Sequence, residues 1–525
     1  VDMVAGATLS SAGFKKAVKD AISKSGATLV EKEVPKHEPV NVDETYDVVV
    51  IGAGGAGLSA AITASEAGAK VAVIDKLQMS AGNTLISGAE YAAPNNWIQK
   101  DEVIDDSPEQ MAEDMLTGGD NLADPELVKT LCENALSGAE WLRDDVKVEW
   151  TDELMHFGGH SITRSLVPKG ATGEELITKL VAKAKDAGIT LYYNVSGKEI
   201  LMEDGKAIGV YGESKNGDTY TLKANRGVIL ATGGYGANIA KVQETNDYWD
   251  DSFIADNIGT TNRSSLQGDG ITMAEAVGAD TDGMGWTQMM PLGWVDNGNL
   301  AGGAGENVIY INAATGKRYV DESAERDVLS KGAFENGMTK ELADELGLKY
   351  VPGIYVEVSN TSITAGVGGF NNGANDIEGR MYFKTVAEVA EMLHLDEQTL
   401  RDTITEYDNY VMGTSTDLSV EKLAYTATVG DVEKDENGNY LPDTYKLENL
   451  RIRFLAPSTH HTMGGLVTDV NHHVLDKDGK TITGLYAAGE VTSGYHAGNR
   501  LGGNAITEII VSGRDAAKAV TEDNK

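Results

Sequence analysis

The pattern of apolar and polar positions changes character several times along the chain. Residues 1–26 (VDMVAGATLSSAGFKKAVKDAISKSG) read as a short motif followed by one amphipathic helix, and 27–44, polar and punctuated by Pro35 and Pro39, read as a linker. From Tyr46 an apolar run, then Ala, Leu and Ile at helical spacing, then VAVI predict strand, glycine turn, helix and strand, one βαβ unit. Two helices follow, each opened by a cap residue and a proline, Ser107-Pro108 and Asp124-Pro125. Lys206–Gly234 predicts a hairpin turning at Asn216-Gly217, then a buried strand VILA that ends in a glycine turn. Between about Met284 and Arg453 the pattern shifts to helices, including one over Thr385–Met412 with a Thr385/Glu388 capping box, and to a loop-rich stretch, GVGGFNNGAND. Short strands and glycines then return, with a hairpin at Asp478-Gly479 and a closing helix. The chain reads as α/β, one domain interrupted by an inserted second domain, with boundaries at 45–281, 282–455 and 456–525. No fixed-period repeat is visible.

Composition narrows the chemistry. The 525 residues are 41% hydrophobic and 24% charged, enough for a large core shared by two or three domains. A net charge of −37 opposes binding to nucleic acid or anionic lipid. One cysteine, Cys132, excludes intramolecular disulfides, a thiolate zinc cluster, and iron–sulfur or c-type haem attachment within this chain. Redox chemistry would therefore need a bound organic cofactor. No apolar run approaches the roughly 20 residues of a spanning helix. Val1 stands where an initiator Met would, so we expect a piece of something longer. Sixty-one glycines against ten prolines point to close backbone approach and tight turns.

The sharpest motif is Gly52-Ala53-Gly54-Gly55-Ala56-Gly57, set between an apolar strand and a helix. Glycines there let the backbone approach a pyrophosphate, and the helix N-terminus donates amides to it. Asp75, with Lys76 beside it, ends the next strand and is placed to accept from a ribose hydroxyl. NAD and FAD both use this Rossmann-like unit, and a glycine turn that binds nothing is the bland alternative.

Further motifs occur in order: Ser80-Ala81-Gly82-Asn83-Thr84 with Ser87-Gly88, Ala231-Thr232-Gly233-Gly234, Gly268-Asp269-Gly270, His460-His461-Thr462-Met463-Gly464-Gly465, Ala488-Gly489-Glu490, and Arg500-Leu501-Gly502-Gly503-Asn504-Ala505 running into Ile506. Together, from about Tyr46 to the C-terminus, they resemble the fumarate reductase and succinate dehydrogenase flavoprotein family, with most likeness to its soluble flavocytochrome c fumarate reductases and urocanate reductases. The resemblance implies a Rossmann-like FAD-binding domain interrupted by an inserted α+β capping domain, and assigns these motifs to FAD. Membrane-complex relatives attach FAD through a histidine on the first glycine loop; Gly82-Asn83-Thr84 has none, which implies non-covalent FAD. His460 and Arg500 match the family's carboxylate clamp, and Arg326, in GKRYVDESAERDVLS, matches its proton donor. Without the resemblance, Arg326 between Glu325 and Asp327 reads as a surface ion-pair residue. An arginine acid, with an intrinsic pKa above about 12, must regain its proton from a relay. The resemblance turns His461 toward the flavin and Glu490 toward its ribityl or ribose hydroxyls. The spacing of the histidines gives no convincing metal site.

Residues 2–8 (DMVAGAT) resemble the end of an FMN-binding domain in which Thr8 would carry FMN covalently, but only with that domain complete. This implies an external electron donor (a cytochrome, an FMN domain or a membrane redox chain) and work outside the cytoplasmic membrane as a step of anaerobic respiration. Two departures from the family redirect the substrate. Dicarboxylate-specific relatives carry a histidine in a Gln-x-His-Pro-Thr context, where this chain has Trp286-Thr287-Gln288-Met289-Met290-Pro291. A second carboxylate would lack its partner, so the expected substrate is an unsaturated monocarboxylate, urocanate- or cinnamate-like. Trp286, Met289, Met290 and Trp294 are candidates to line its pocket, with interdomain core the equal alternative. The family's relay Glu and Arg fall at Gly302 and Gly305, with Glu306 the nearest acid to refill them. The expected activity is that of an FAD-dependent 2-enoate reductase. Its rivals are a fumarate reductase with a rewired second site, a ketosteroid desaturase or aspartate oxidase, and a flavin electron-transfer module.

Overall fold

A computed structural model describes residues 8–25, with side chains from 16, and 37–302, 308–362, 377–420 and 427–523. Asp2–Ala7, the side chain of Thr8, the GVGGFNNGAND stretch, Gly305 and Glu306 lie outside the described residues.

The first sheet has eight strands. Its main order is His473–Leu475, Thr481–Ala487, Thr219–Leu230, Asn41–Ile51, Val71–Asp75 and Thr190–Tyr193, and the hairpin Val195–Glu203/Lys206–Ser214 joins it through Thr219–Leu230. The pairs at its centre are parallel, Val48–Ile51 lying between Val71–Ile74 and Gly227–Leu230. Burial on both faces explains why these strands read as unbroken Val/Ile runs. Helix Gly55–Glu66 follows the glycine turn and packs on the C-terminal helix Asn504–Glu522, where a Cβ at Gly513 would come within 2.4 Å of the Ala56 carbonyl oxygen. Distant stretches of sequence thus converge on the glycine loop.

The second sheet is organised by one 14-residue strand, Asn449–Thr462. Its first half pairs antiparallel with Tyr355–Ser359 and Met381–Thr385. Its second half pairs with Gly259–Thr260 and with Thr287–Trp294, and it ends by delivering His460 and His461. The strand passes unbroken through 455/456.

Both hairpins form, with Gly217 at φ 90° and Gly479 at φ 74°. Ser107 and Asp124 cap their helices, accepting from the Gln110 amide at 3.1 Å and the Glu126 amide at 2.8 Å. The Thr385/Glu388 capping box is present, but the expected single helix is two, Val386–Met392 and Glu397–Val411. His394 is left-handed at φ 55° and Asp396 caps the second helix, a restart signal that the continuous periodicity hid. The first strand begins at Asn41 rather than Tyr46. Its first half is paired to Thr219–Ala224 yet mostly exposed, so no apolar pattern marked it out from the linker. Cys132 is buried and its thiol is pushed up to about 12 by desolvation, which leaves it unreactive.

Candidate active site

The glycine turn opens onto a cleft of about 840 Å³. Gly52 (φ 107°) and Gly57 are packing glycines: a Cβ would lie 2.2 Å from the Ala231 oxygen at the first and 1.8 Å from the Gly52 oxygen at the second. A Cβ at Gly54 would meet nothing nearer than Thr84 Oγ1 at 4.0 Å, so this glycine leaves open space on the cleft. Thr84 Oγ1 accepts from the Gly55 amide at 3.2 Å. The Ala53 and Leu77 amides each donate to a different Asp75 oxygen at 2.7 Å, which aims the carboxylate while leaving lone pairs on both oxygens. Burial raises the Asp75 pKa in spite of those bonds. Lys76 pairs with Asp269, and Asn83 Nδ2 donates to Asn262 Oδ1 at 2.6 Å.

Gly52, Gly54, Gly55, Ala56, Asp75, Lys76, Gly82, Asn83, Thr84, Ala231, Thr232, Gly233, Asp269 and Glu490 all border this cleft. Burial pushes Glu490 up to about 7, against the bonds its Oε1 accepts from the Thr462 amide (3.1 Å) and hydroxyl (3.3 Å). Gly234 lies one layer back, its would-be Cβ 1.9 Å from Thr462 Oγ1. Ser87 and Gly88 border a separate cavity beside helix Gly173–Asp186. Gly503, Asn504, Ala505 and Ile506 form the start of the C-terminal helix. The side-chain amide of Asn504 is fully buried with neither polar atom partnered among the described residues. Residues 503–506 do not border the cleft, and the open space at Gly54 beside the start of helix Gly55–Glu66 is what fits a bound dinucleotide. Val195, Gly197, Leu266, Met273 and Ile509 also line the cleft, and no motif in the sequence marked them.

The chain matches the FAD binding domain family over residues 47–506. It belongs to that family. This flavoprotein is 36% identical to a urocanate reductase of Eggerthella lenta, covering 98% of this chain and 82% of that protein. It is 30% identical to an NADH:acrylate oxidoreductase of Vibrio harveyi, covering 99% of this chain but only 55% of the relative. Among solved structures, the open conformation of a flavocytochrome c3 fumarate reductase superposes with a TM-score of 0.71 at 27% identity, over 97% of this chain and 81% of that one. A 3-ketosteroid Δ1-dehydrogenase of Sterolibacterium denitrificans shares the fold, with a TM-score of 0.71 at 17% identity, over 91% of this chain and all of that one.

A third cavity of the flavoprotein, about 270 Å³, is walled by Phe157, Gly158, Glu325, Arg326, Asn499 and Arg500 among others. Arg326 is the first residue of helix Arg326–Glu335, and its Nη1 donates to Gln288 Oε1 at 3.1 Å. Gln288 Nε2 donates in turn to Asn499 Oδ1 (2.7 Å) and to the Arg500 carbonyl (2.8 Å), and Asn499 Nδ2 donates to Glu325 Oε2 at 2.8 Å. One chain of bonds therefore ties residues 288, 326, 499 and 325 together. Burial pushes Arg326 down to about 10, opposed by the charge of Glu90. Burial, then the like charge of Arg326, pushes Arg500 well below its ordinary value. Burial and both arginines hold His460 and His461 neutral. His460 Nδ1 lies 2.6 Å from Thr261 Oγ1, which fixes its ring.

Sequence reasoning missed Gln288, Asn499, Thr261 and Glu90. Burial raises the Glu90 carboxyl, which faces both arginines, and a Cβ at Gly88 would fall 2.1 Å from its Oε1. The candidate apolar pocket falls elsewhere. Met289 sits in the core with Tyr235, Val242 and Trp249, Trp294 with Tyr310 and Tyr355, and Trp286 against the Met111/Met115 cluster. Met290 is buried, and none of the four borders the arginine cavity. The fold also brings His461, His496 and Glu508 together with ligand atoms within 4.8 Å, a grouping that spacing did not reveal. His496 Nε2 and Glu508 Oε2 already bond to each other at 3.0 Å.

Proposed function

We propose that the protein reduces the C=C bond of an α,β-unsaturated monocarboxylate of urocanate or cinnamate type. The observation that carries this reading is the pair Arg326 and Arg500 on one cavity with no carboxylate ion-paired to either among the described residues. Two buried, unpaired guanidinium groups are costly, and an anionic substrate offsets that cost. FAD, when bound along the glycine cleft, supplies the hydride for the β-carbon. Arg500 and His460 hold the carboxylate, the first as a planar fork and the second as a neutral hydrogen-bonding ring. Polarising the carboxylate draws electron density from the double bond toward it. Arg326, already depressed toward about 10, gives its proton to the α-carbon that becomes basic as hydride adds. In the segment where dicarboxylate-specific relatives carry a histidine this chain has Met289 and Met290, so a second carboxylate would have no imidazole partner there. The names of the reductase relatives agree with this class.

In the whole protein, electrons come from an external donor, with FMN on Thr8 as the relay and an extracytoplasmic setting. Anaerobic mixing of dithionite-reduced protein with a panel of acids tests the reading through flavin reoxidation. Urocanate or cinnamate is expected to reoxidise the flavin at least 10-fold faster than fumarate. A preference for fumarate supports the rewired dicarboxylate enzyme, and reduced flavin that survives the whole panel supports the electron-transfer module.

A further inference from the structure

We propose that His160 is a positioning residue of the carboxylate clamp: as a neutral ring protonated on Nε2, it fixes the backbone at Gly502 and so aims the Arg500 guanidinium. This rests on Arg500 holding the substrate carboxylate, as proposed above.

Little within the protein holds that guanidinium. Among the described residues its one hydrogen bond runs from Nη1 to the carbonyl of the next residue, Leu501, at 3.3 Å, and its Nε is buried without a partner. Its direction therefore follows the backbone at 500–502. Gln288 pins that segment on one side, through the Arg500 carbonyl. On the other side stands the loop Phe157-Gly158-Gly159-His160, whose first two residues border the same cavity as Arg500 and Gly502. Glycines let loop and segment meet: a Cβ at Gly159 would fall 2.4 Å from Leu501 Cδ2, and one at Gly502 would fall 2.2 Å from Phe157 Cγ. The loop is a tight turn, the His160 amide donating to the Phe157 carbonyl at 3.2 Å. Among the described residues, the polar tie between loop and segment is the 2.8 Å contact of His160 Nε2 with the Gly502 carbonyl, and the ring is buried.

The partners of the ring dictate its tautomer. Arg164 Nη1 lies 2.8 Å from Nδ1, and a guanidinium only donates, so Nδ1 accepts. A carbonyl only accepts, so Nε2 carries the proton toward Gly502. Arg164 is itself held by Asp106 and Asp114, and the Ser161 amide and hydroxyl each donate to Asp114 Oδ2 at 3.0 Å, which anchors the loop just past the ring. The charged and titratable groups around the ring are Arg164, Asp114 and His156. Burial, helped by Arg164 and His156, pushes its pKa down to about 4 against the Gly502 bond and Asp114. Above that pH the ring is neutral and keeps both bonds.

The test uses FAD-loaded wild type, His160→Asn and His160→Gln. Asparagine keeps a polar group at the Nδ1 position but falls short of Gly502, whereas glutamine keeps a donor at the Nε2 position. Urocanate and cinnamate are titrated into oxidised protein, which cannot turn over, and Kd is read from the flavin difference spectrum. KM and kcat are then measured with reduced methyl viologen as donor. We expect His160→Asn to raise Kd and KM roughly 3- to 10-fold, the weight of one neutral hydrogen bond, with kcat within about 2-fold of wild type. His160→Gln should recover most of that loss, a split that a merely structural role does not produce. Nitrogen-15 NMR of histidine-labelled wild type, with the His160 signals assigned by their absence from His160→Gln, should show a protonated Nε2 and a bare Nδ1 until the pH nears 4. A proton on Nδ1, a Kd unchanged in both variants, or a loss in His160→Gln at least as large as in His160→Asn overturns this proposal alone. Wild type that binds and reduces none of the enoates overturns instead the functional reading beneath it.

Discussion

Replacing Arg164 with methionine should damage both stability and the substrate clamp, and the size of the loss follows from what the guanidinium touches. Its side chain is fully buried; Nε and Nη2 donate to the two oxygens of Asp106 at 2.9 and 3.0 Å, and Nη1 donates to Asp114 Oδ2 at 2.6 Å. Nη1 also lies 2.8 Å from His160 Nδ1, and the far nitrogen of that ring bonds the carbonyl of Gly502 on the cavity wall. Methionine fills much of the volume but strands two buried carboxylates. Breaking a buried pair from one side costs about 3–5 kcal/mol, a large part of the ~5–15 kcal/mol available to a typical fold. Urea unfolding of the FAD-loaded variant near neutral pH should show that loss, and KM for the enoate should rise as Gly502 loosens beside Arg500. The pH dependence has a definite sign. Burial works to raise the Asp114 pKa, but the bonds from Arg164 and Ser161 overcome it and hold the group below its ordinary value. That contribution is present above the unfolded pKa and is lost as pH falls through the folded one. The gap between wild type and variant should therefore narrow in acid. Adding Asp106→Asn and Asp114→Asn should recover part of the loss, because no charge is then stranded. A loss below about 1 kcal/mol, or one that widens in acid, would refute the reasoning.

Two further outcomes follow from the site. Glu490, raised by burial to about 7, favours the folded FAD-free protein fully below its unfolded pKa and loses that advantage as pH rises through about 7. Glu490→Gln should remove a decline on the order of 3 kcal/mol between mildly acidic and alkaline pH, read by chemical denaturation of flavin-stripped protein. Arg500→Gln replaces a charge-assisted fork by one neutral amide, a net loss of roughly 1.5–3 kcal/mol, so KM for the enoate should rise about 10- to 100-fold with flavin content unchanged, by steady-state kinetics and absorbance.

How much of this was legible depended on whether a signal was local. The glycine turn was, because Gly52–Gly57 interrupts two apolar runs, and Gly52 and Gly57 answer to the next strand and to the turn itself. Asp75 was legible as the acid that ends the next strand. Arg326 was not legible from its surroundings, since Glu-Arg-Asp has the look of solvated surface; only the family resemblance singled it out. What buries it is a wall assembled from Phe157, Asn499 and Arg500, more than 150 residues away along the chain. Gln288 failed for the same reason. A glutamine in a Met-rich strand carries no hint that it will bridge Arg326 to Asn499. Met289 misled in the opposite direction, because apolar residues beside a missing histidine invite a pocket while the strand packs that side chain into the core.

The net charge of −37 and the cationic cavity are reconciled by distance. Surface carboxylates act through water and salt, and beyond a screening length of about 8 Å they contribute little to the potential at a buried point. A substrate carboxylate about 4 Å from a guanidinium at an effective dielectric near 20 gains about 4 kcal/mol from each such contact. Two contacts outweigh what the screened surface can oppose, so recognition is decided inside the cavity and the acidic exterior acts on the approach alone. The same nearness explains why the pair is costly without an anion. Burial depresses both, the charge of Arg326 depresses Arg500 further, and no carboxylate is ion-paired to either among the described residues. In the proposed reaction the burial that makes Arg326 a better acid is therefore also what favours an anion in the cavity. A substitution that pairs either arginine with an internal acid would weaken binding and proton donation together.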